Sequence, residues 1–197
     1  MSRFHMLIVA LSAVAVLASC TPEKLIVATP APDLRQAIDT PPYVCSFIPE
    51  QAFRLISGIN APLTNTSKGT DRNGDCRIPD TATPPLEVWW RQEGPGMPLE
   101  HLEFLINGKR NLYTRHGGVA LPADLGDGMV AYLTDSILAD QPYQVCAKFT
   151  CGDKERMIDI YLTQVAKGRD AMKDLTDLMR IAQNRYAEIH NCELNTK

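Results

Sequence analysis

Six thiols are the residues in this 197-residue chain best equipped for chemistry: Cys20, Cys45, Cys76, Cys146, Cys151 and Cys192. A zinc site would need ligands paired at short spacing and joined by histidines. The nearest pair, Cys146 and Cys151, has four residues between its members and no histidine nearby, so no metal is expected. A nucleophilic thiol would need an activating base, and His101, His116 and His190 sit in no recognisable motif. What remains is pairing, which depends on the compartment. Cys146 and Cys151 should not pair with each other if one strand runs through both. Five residues of strand would carry them about 16 Å apart on opposite faces, whereas a disulfide needs Cα atoms within about 7 Å.

The compartment is written at the N-terminus. Arg3 precedes an apolar run from Met6 to Leu17, followed by the small residues Ala18 and Ser19, the three parts of a secretory signal. That run falls short of the roughly 20 apolar residues a membrane span requires. Leu17-Ala18-Ser19-Cys20 resembles the bacterial lipobox. The resemblance implies cleavage before Cys20 and lipid on its thiol, hence a chain exported to the extracytoplasmic face of a cell membrane. Two or more acyl chains give stable anchoring. The expected organisation is a signal peptide over 1–19, a lipid-anchored proline-rich tether over 20–43 and a globular domain over 44–197. Pro22, Pro30, Pro32, Pro41 and Pro42 mark the tether. Leu25-Ile26-Val27 and Leu34 to Ile38 could pack back on the domain. With Cys20 lipidated and the setting oxidising, five thiols remain, and one is left over.

The net charge is −3, and −4 once Arg3 leaves with the signal. Such a balance argues against nucleic acid, which wants a basic face. It also gives no polybasic support to membrane binding. At 45% hydrophobic and 22% charged residues the composition is that of a folded domain.

Hydrophobic period and breakers then place the elements. Pro49-Glu50 starts a short helix with Ala52, Phe53 and Ile56 on one face and Gly58 at its end. Asn73-Gly74 signals a hairpin. Asp71, Asn73 and Asp75 alternate like the opening of a calcium loop, but Cys76 and Ala82 stand where glycine and glutamate are required. Leu86 to Gln92 alternates as a strand, placing Trp89 among charges, either as a binding contact or as a covered residue. Pro98 opens a helix carrying Leu99, Leu102, Leu105 and Ile106, and Asn107-Gly108 reads as its C-cap. His116-Gly117-Gly118 is similar to the oxyanion turn of lipases, but the chain has no Gly-x-Ser-x-Gly nucleophile elbow. Gly126-Asp127-Gly128 reads as a tight turn before a strand from Val130 to Leu133. Gln144 to Thr150 and Met157 to Leu162 form a hairpin. The longest helix covers Asp170 to His190, with an apolar stripe through Met172, Leu175, Leu178, Met179, Ala182, Tyr186 and Ile189. Cys192 follows it, placed to bridge to Cys146 or Cys151. The expected fold is one α+β domain: a mainly antiparallel sheet with a short N-terminal helix, a middle helix and a long C-terminal helix.

The lipobox, the proline-rich tether, Cys45 and Cys76 around the first helix, Leu125-Gly126-Asp127-Gly128, the cysteine-bearing hairpin and the last helix together resemble an uncharacterised family of actinobacterial lipoproteins with a domain of unknown function. The resemblance implies a Cys45–Cys76 bridge and no established enzymatic role, and no cofactor is expected. The expected function is a non-catalytic binding or regulatory module of the cell envelope. Its partners would be the membrane, through Cys20, and an envelope protein or small ligand. Trp89, Gly126, Asp127 and Gly128 are the candidate contacts. The alternative is an envelope hydrolase or transferase whose site is assembled only by the fold.

Overall fold

In the computed structural model, which describes residues 33–78, 84–134 and 140–195, the first elements follow from local backbone constraints. Strands β1 (Tyr43–Val44) and β2 (Ile48–Pro49) pair around a turn in which Cys45 and Ser46 hold positive φ of 51° and 62°. Pro49 caps α1 (Glu50–Ser57), which ends where Gly58, at φ 73°, donates its N–H to the Arg54 carbonyl. Strands β3 (Thr66–Gly69) and β4 (Gly74–Arg77) make the expected hairpin. Gly74 opens β4 instead of sitting in the turn. A Cβ there would lie 2.4 Å from the ring of Trp90, which fills that space.

Strand β5 (Leu86–Gln92) matches the alternation of its sequence. Helix α2 (Leu99–Arg115) does not stop at Asn107-Gly108. It runs two turns further because Lys109, Leu112 and Tyr113 continue the period that Leu102 and Ile106 begin, and tertiary packing outweighs a local cap signal. After β6 (Val119–Ala120) comes β7 (Asp127–Tyr132). Gly128 therefore lies inside a strand and not in a turn, and Leu133 lies beyond it. The reason is close approach: a Cβ on Gly128 would stand 2.4 Å from the Cys146 carbonyl oxygen, and one on Gly126 (φ 79°) 2.4 Å from that of Lys148. Strands β8 (Tyr143–Cys151) and β9 (Lys154–Leu162) meet in a two-residue turn, Gly152-Asp153. Helix α3 (Ala171–His190) is capped by the Asp170 side chain, which accepts from the Lys173 N–H at 3.1 Å. Strand β10 (Leu194–Asn195) closes the described chain.

The fold is α+β. The sheet is antiparallel, in the order β3-β4-β5-β9-β8-β7-β6, with β10 pairing Thr150 and Cys151 at the end of β8. Period-2 alternation sends its residues to two unlike faces. On one, Val88, Val145, Phe149, Ile158 and Ile160 meet Phe53 and Ile56 of α1 and Leu175, Leu178 and Tyr186 of α3. Phe47 packs between Trp90 and Tyr186, at ring distances of 5.4 and 5.8 Å. On the other face, Met129, Ala131, Cys146 and Met157 meet Leu102, Ile106 and Tyr113 of α2. Ile189, expected in the α3 stripe, is exposed, and Asp174, Ile181 and Gln183, outside the expected stripe, are buried.

Residues 33–42, expected in the tether, lie along the body. Arg169 donates to the Asp33 and Arg35 carbonyls while its guanidinium holds Asp174 at 2.6 and 2.7 Å, and Ala37 enters the core. The signal segment, Cys20 and the rest of the tether lie outside the described residues. No helix among the described residues is long and apolar enough to cross a membrane.

Candidate binding surface

The five later cysteines sort by the parity of the sheet. Cys45 and Cys76 are bonded, with Cα atoms 5.4 Å apart, and tie the β1–β2 turn to β4. Cys151 and Cys192 are bonded at the same Cα separation and staple the end of β8 to the chain leaving α3. Cys192 therefore takes Cys151, not Cys146. The strand does run through both 146 and 151, so Cys151 points toward α3 and Cys146 toward α2. Cys146 is free and buried, and burial, then the charge of Asp159, pushes its thiol up to about 12. At neutral pH it is a protonated, shielded thiol and a poor nucleophile. His101 stacks on Phe104 on the outside of α2, His116 caps the C-terminus of that helix, and His190 lies 4.0 Å from the Tyr186 ring on the opposite side of the sheet. Burial lowers the pKa of His190.

The face under α2 holds a buried charge cluster. Asp159, 1% exposed, occupies the middle of β9, with Cys146 directly across on β8 and Trp89 directly across on β5. Arg91 holds its Oδ2 at 2.6 Å. Lys109 of α2 stands 3.8 Å from Oδ1 and donates to the Tyr161 hydroxyl at 2.7 Å. Oδ1 itself accepts no hydrogen bond among the described residues. Tyr113 of α2 donates to Gln144 of β8 at 3.0 Å. A buried carboxylate is expensive to keep ionised without such partners, so the cluster fixes the position of α2 over the sheet.

Trp89 is half-buried in this network. Its indole N–H donates to Glu87 at 2.6 Å, and the guanidiniums of Arg91 and Arg77 lie 4.9 and 6.0 Å from its ring. Glu87 in turn holds Arg77 at 2.8 Å. Gly126 and Asp127 lie elsewhere on the same face, lining a cleft of about 330 Å³ with Lys148, Thr150, Glu155 and Asn195. Arg110 of α2 holds Asp127 at 2.5 Å. Lys148 is shared between Glu103 at 3.0 Å and Glu155 at 3.3 Å. Burial alone would lower the pKa of Lys148, but these two acids outweigh it and raise it. Gly128, in register with Ala147, is turned the other way, under the Leu121 side chain on the α1/α3 face, and does not line the cleft. The expected contacts thus form no single pocket, and Gly128 does not share the face of Trp89 and Asp127.

No family model, curated protein or solved structure matches the chain.

Asp159, Lys109 and Tyr161 were not among the residues the sequence singles out. The signal for Asp159 and Tyr161 was the polar half of the alternation in Ile158-Asp159-Ile160-Tyr161-Leu162. Lys109 was hidden by the apparent helix end at Asn107-Gly108. Once α2 extends through 115, Lys109 falls over Asp159.

Proposed function

We propose that the chain is an exported lipoprotein, held to a cell membrane by lipid on Cys20, that acts as a non-catalytic binding or regulatory module of the cell envelope. The observation that carries the reading is the sorting of the thiols. Four of the five cysteines after Cys20 stand in disulfide geometry and the fifth is sealed in the core. Disulfides persist in oxidising compartments, and a signal segment ending in Leu-Ala-Ser-Cys supplies the route there. The likeness to actinobacterial lipoproteins supports the same location.

The contact surface is assigned to the α2 side. Supporting this are the half-buried Trp89 between two arginines and the cleft whose Lys148 is bracketed by Glu103 and Glu155. A partner, either an envelope protein or a small ligand, would read hydrogen-bonding and charged groups there instead of filling a deep apolar pocket.

Radiolabelled palmitate should enter the wild-type protein and fail to enter Cys20→Ala; label surviving in that variant overturns the anchor. A photo-crosslinking residue at Thr150, in the cleft, should capture a partner in native envelopes, whereas the same residue at Arg180 on α3 should not. Equal capture at both positions overturns the assignment to the α2 side.

A further inference from the structure

Leu34 and Ile38 are 71% and 66% exposed, among the most exposed large apolar side chains of the described residues. Both lie in the short strap, residues 33–38, that leads into the folded body. The strap is not loose. Arg169, whose side chain is 4% exposed, is bidentate to the buried Asp174 and spends its remaining donors on the carbonyls of Asp33 and Arg35. Charge-assisted bonds of this kind are the strong ones. Ala37 is pinned in the core beside them. The clamp therefore holds one small residue inward and presents two large apolar residues outward, an arrangement that core packing does not require.

Asp33 is thirteen residues beyond Cys20. That length cannot carry the strap more than about 45 Å from the lipidated residue, and an unconstrained chain would average roughly 20 Å. The bilayer is thus the nearest extended apolar phase. We propose that the strap is a second membrane contact: Leu34 and Ile38 enter the interface, and the body rests on the bilayer through its α1/α3 side. This rests on the lipid-anchor reading and adds an orientation to it. The strap belongs to that side of the sheet, for the grooves beside it are lined by Gln51, Ala52 and Leu55 of α1 and by Lys173 and Asp174 of α3. Helix α2 covers the opposite face, so its charged surface is turned away from the membrane toward soluble partners. Three cations beside the strap are paired with acids, Arg35 with Asp33, Arg54 with Glu50 and Lys173 with Asp177, so the contact is assigned to the apolar pair and not to basic charge.

The test uses the full lipidated protein in zwitterionic phosphatidylcholine vesicles containing brominated lipid. Tryptophan is introduced singly as Ile38→Trp and as Phe104→Trp, the latter on the outer face of α2 where the native ring is 71% exposed. Both positions are open enough to accept the ring. Emission in excess of the wild-type protein should be quenched about threefold more at 38 than at 104, as burial ~5–10 Å into the headgroup–acyl boundary would produce. Equal quenching at the two positions, or stronger quenching at 104, with lipid on Cys20 verified by mass, overturns the orientation and leaves the anchor standing. Absence of the lipid by mass overturns both. As a second measurement, adding Leu34→Ser/Ile38→Ser to a Leu55→Trp reporter protein should lower quenching at 55; unchanged quenching there overturns the strap's role.

Discussion

The two faces of one sheet are built on different principles. Toward α1 and α3, among the described residues, 29 buried hydrophobics form the larger cluster, and both disulfides join it. Toward α2 only eight do, the free thiol of Cys146 is among them, and among the described residues no disulfide holds the helix down. What keeps α2 in place is the Arg91–Asp159–Lys109 cluster and its tyrosines. Apolar burial is non-directional and tolerant, whereas a buried ion cluster fixes geometry at a cost in desolvation. The contrast teaches where to look for function. The α1/α3 face carries most of the apolar burial, both bridges and the buried Arg169–Asp174 clamp, whereas the smaller α2 face centres on the Asp159 cluster.

The largest break should come from the disulfide side. The bridged residues are 31 and 41 apart in sequence, so each bond contributes about 4 kcal/mol by the chain-entropy relation. Reducing both should unfold the whole body at far lower denaturant than the oxidised protein needs, measured by far-UV circular dichroism with and without reductant. Coincident oxidised and reduced curves would mean that the bonds do not form. Next in size is Asp159→Asn, which strands Arg91 and Lys109 near a carboxamide and should cost about 3 kcal/mol. Adding Arg91→Met should return part of that loss, since an apolar replacement of a whole buried pair is often neutral. Hydrogen exchange should show the α2 amides opening before those of α3. Simultaneous opening would erase the distinction between the faces.

Alkali should separate them as well. Cys146 is pushed up to about 12 by burial and then by Asp159, and burial holds the hydroxyls of Tyr113 and Tyr161 well above their ordinary range. All three lie under α2. A folded-state pKa above the unfolded value means that the native state keeps protons the unfolded chain gives up. The stabilisation is complete below the unfolded thiol pKa of about 8.5 and is lost as pH rises toward about 12. Cys146→Ala should therefore show a shallower fall in stability over that window, whatever its stability at neutral pH. An unchanged slope would place the alkaline lability elsewhere.

Much of the apolar face was legible in the chain. The α1 start at Pro49-Glu50, its Gly58 stop, the alternation of β5 and the period of α3 each follow from one local rule, and there local and tertiary preferences agree. The leftover thiol was legible as a count, and the opposite facing of Cys146 and Cys151 as a parity. Which of them meets Cys192 was not, because that depends on β10 folding back beside Cys151. The charged face was the harder half. Trp89 could be placed beside Glu87 and Arg91 by alternation, but its Arg77 neighbour comes from the register of β4 and β5. Gly126 and Gly128 read as turn residues, yet what demands glycine there is the backbone of β8.

The smallest prediction bears on that harder half. Gly108 is exposed in the interior of α2, and a Cβ added there would meet nothing within 4 Å. In a continuous helix Gly108→Ala removes only the entropic penalty of glycine and should stabilise the protein by about 0.5–1 kcal/mol. Were Asn107-Gly108 a helix end, with glycine in the left-handed region, the same change would destabilise by a similar amount. The sign alone decides, and a chemical melt can read it. The gain should also slow exchange at the amides of the second half of α2, because Lys109 reaches Asp159 only if the helix continues unbroken through position 108. A stabilising alanine would thus show that the charged face is assembled by a helix that its own sequence signals should stop.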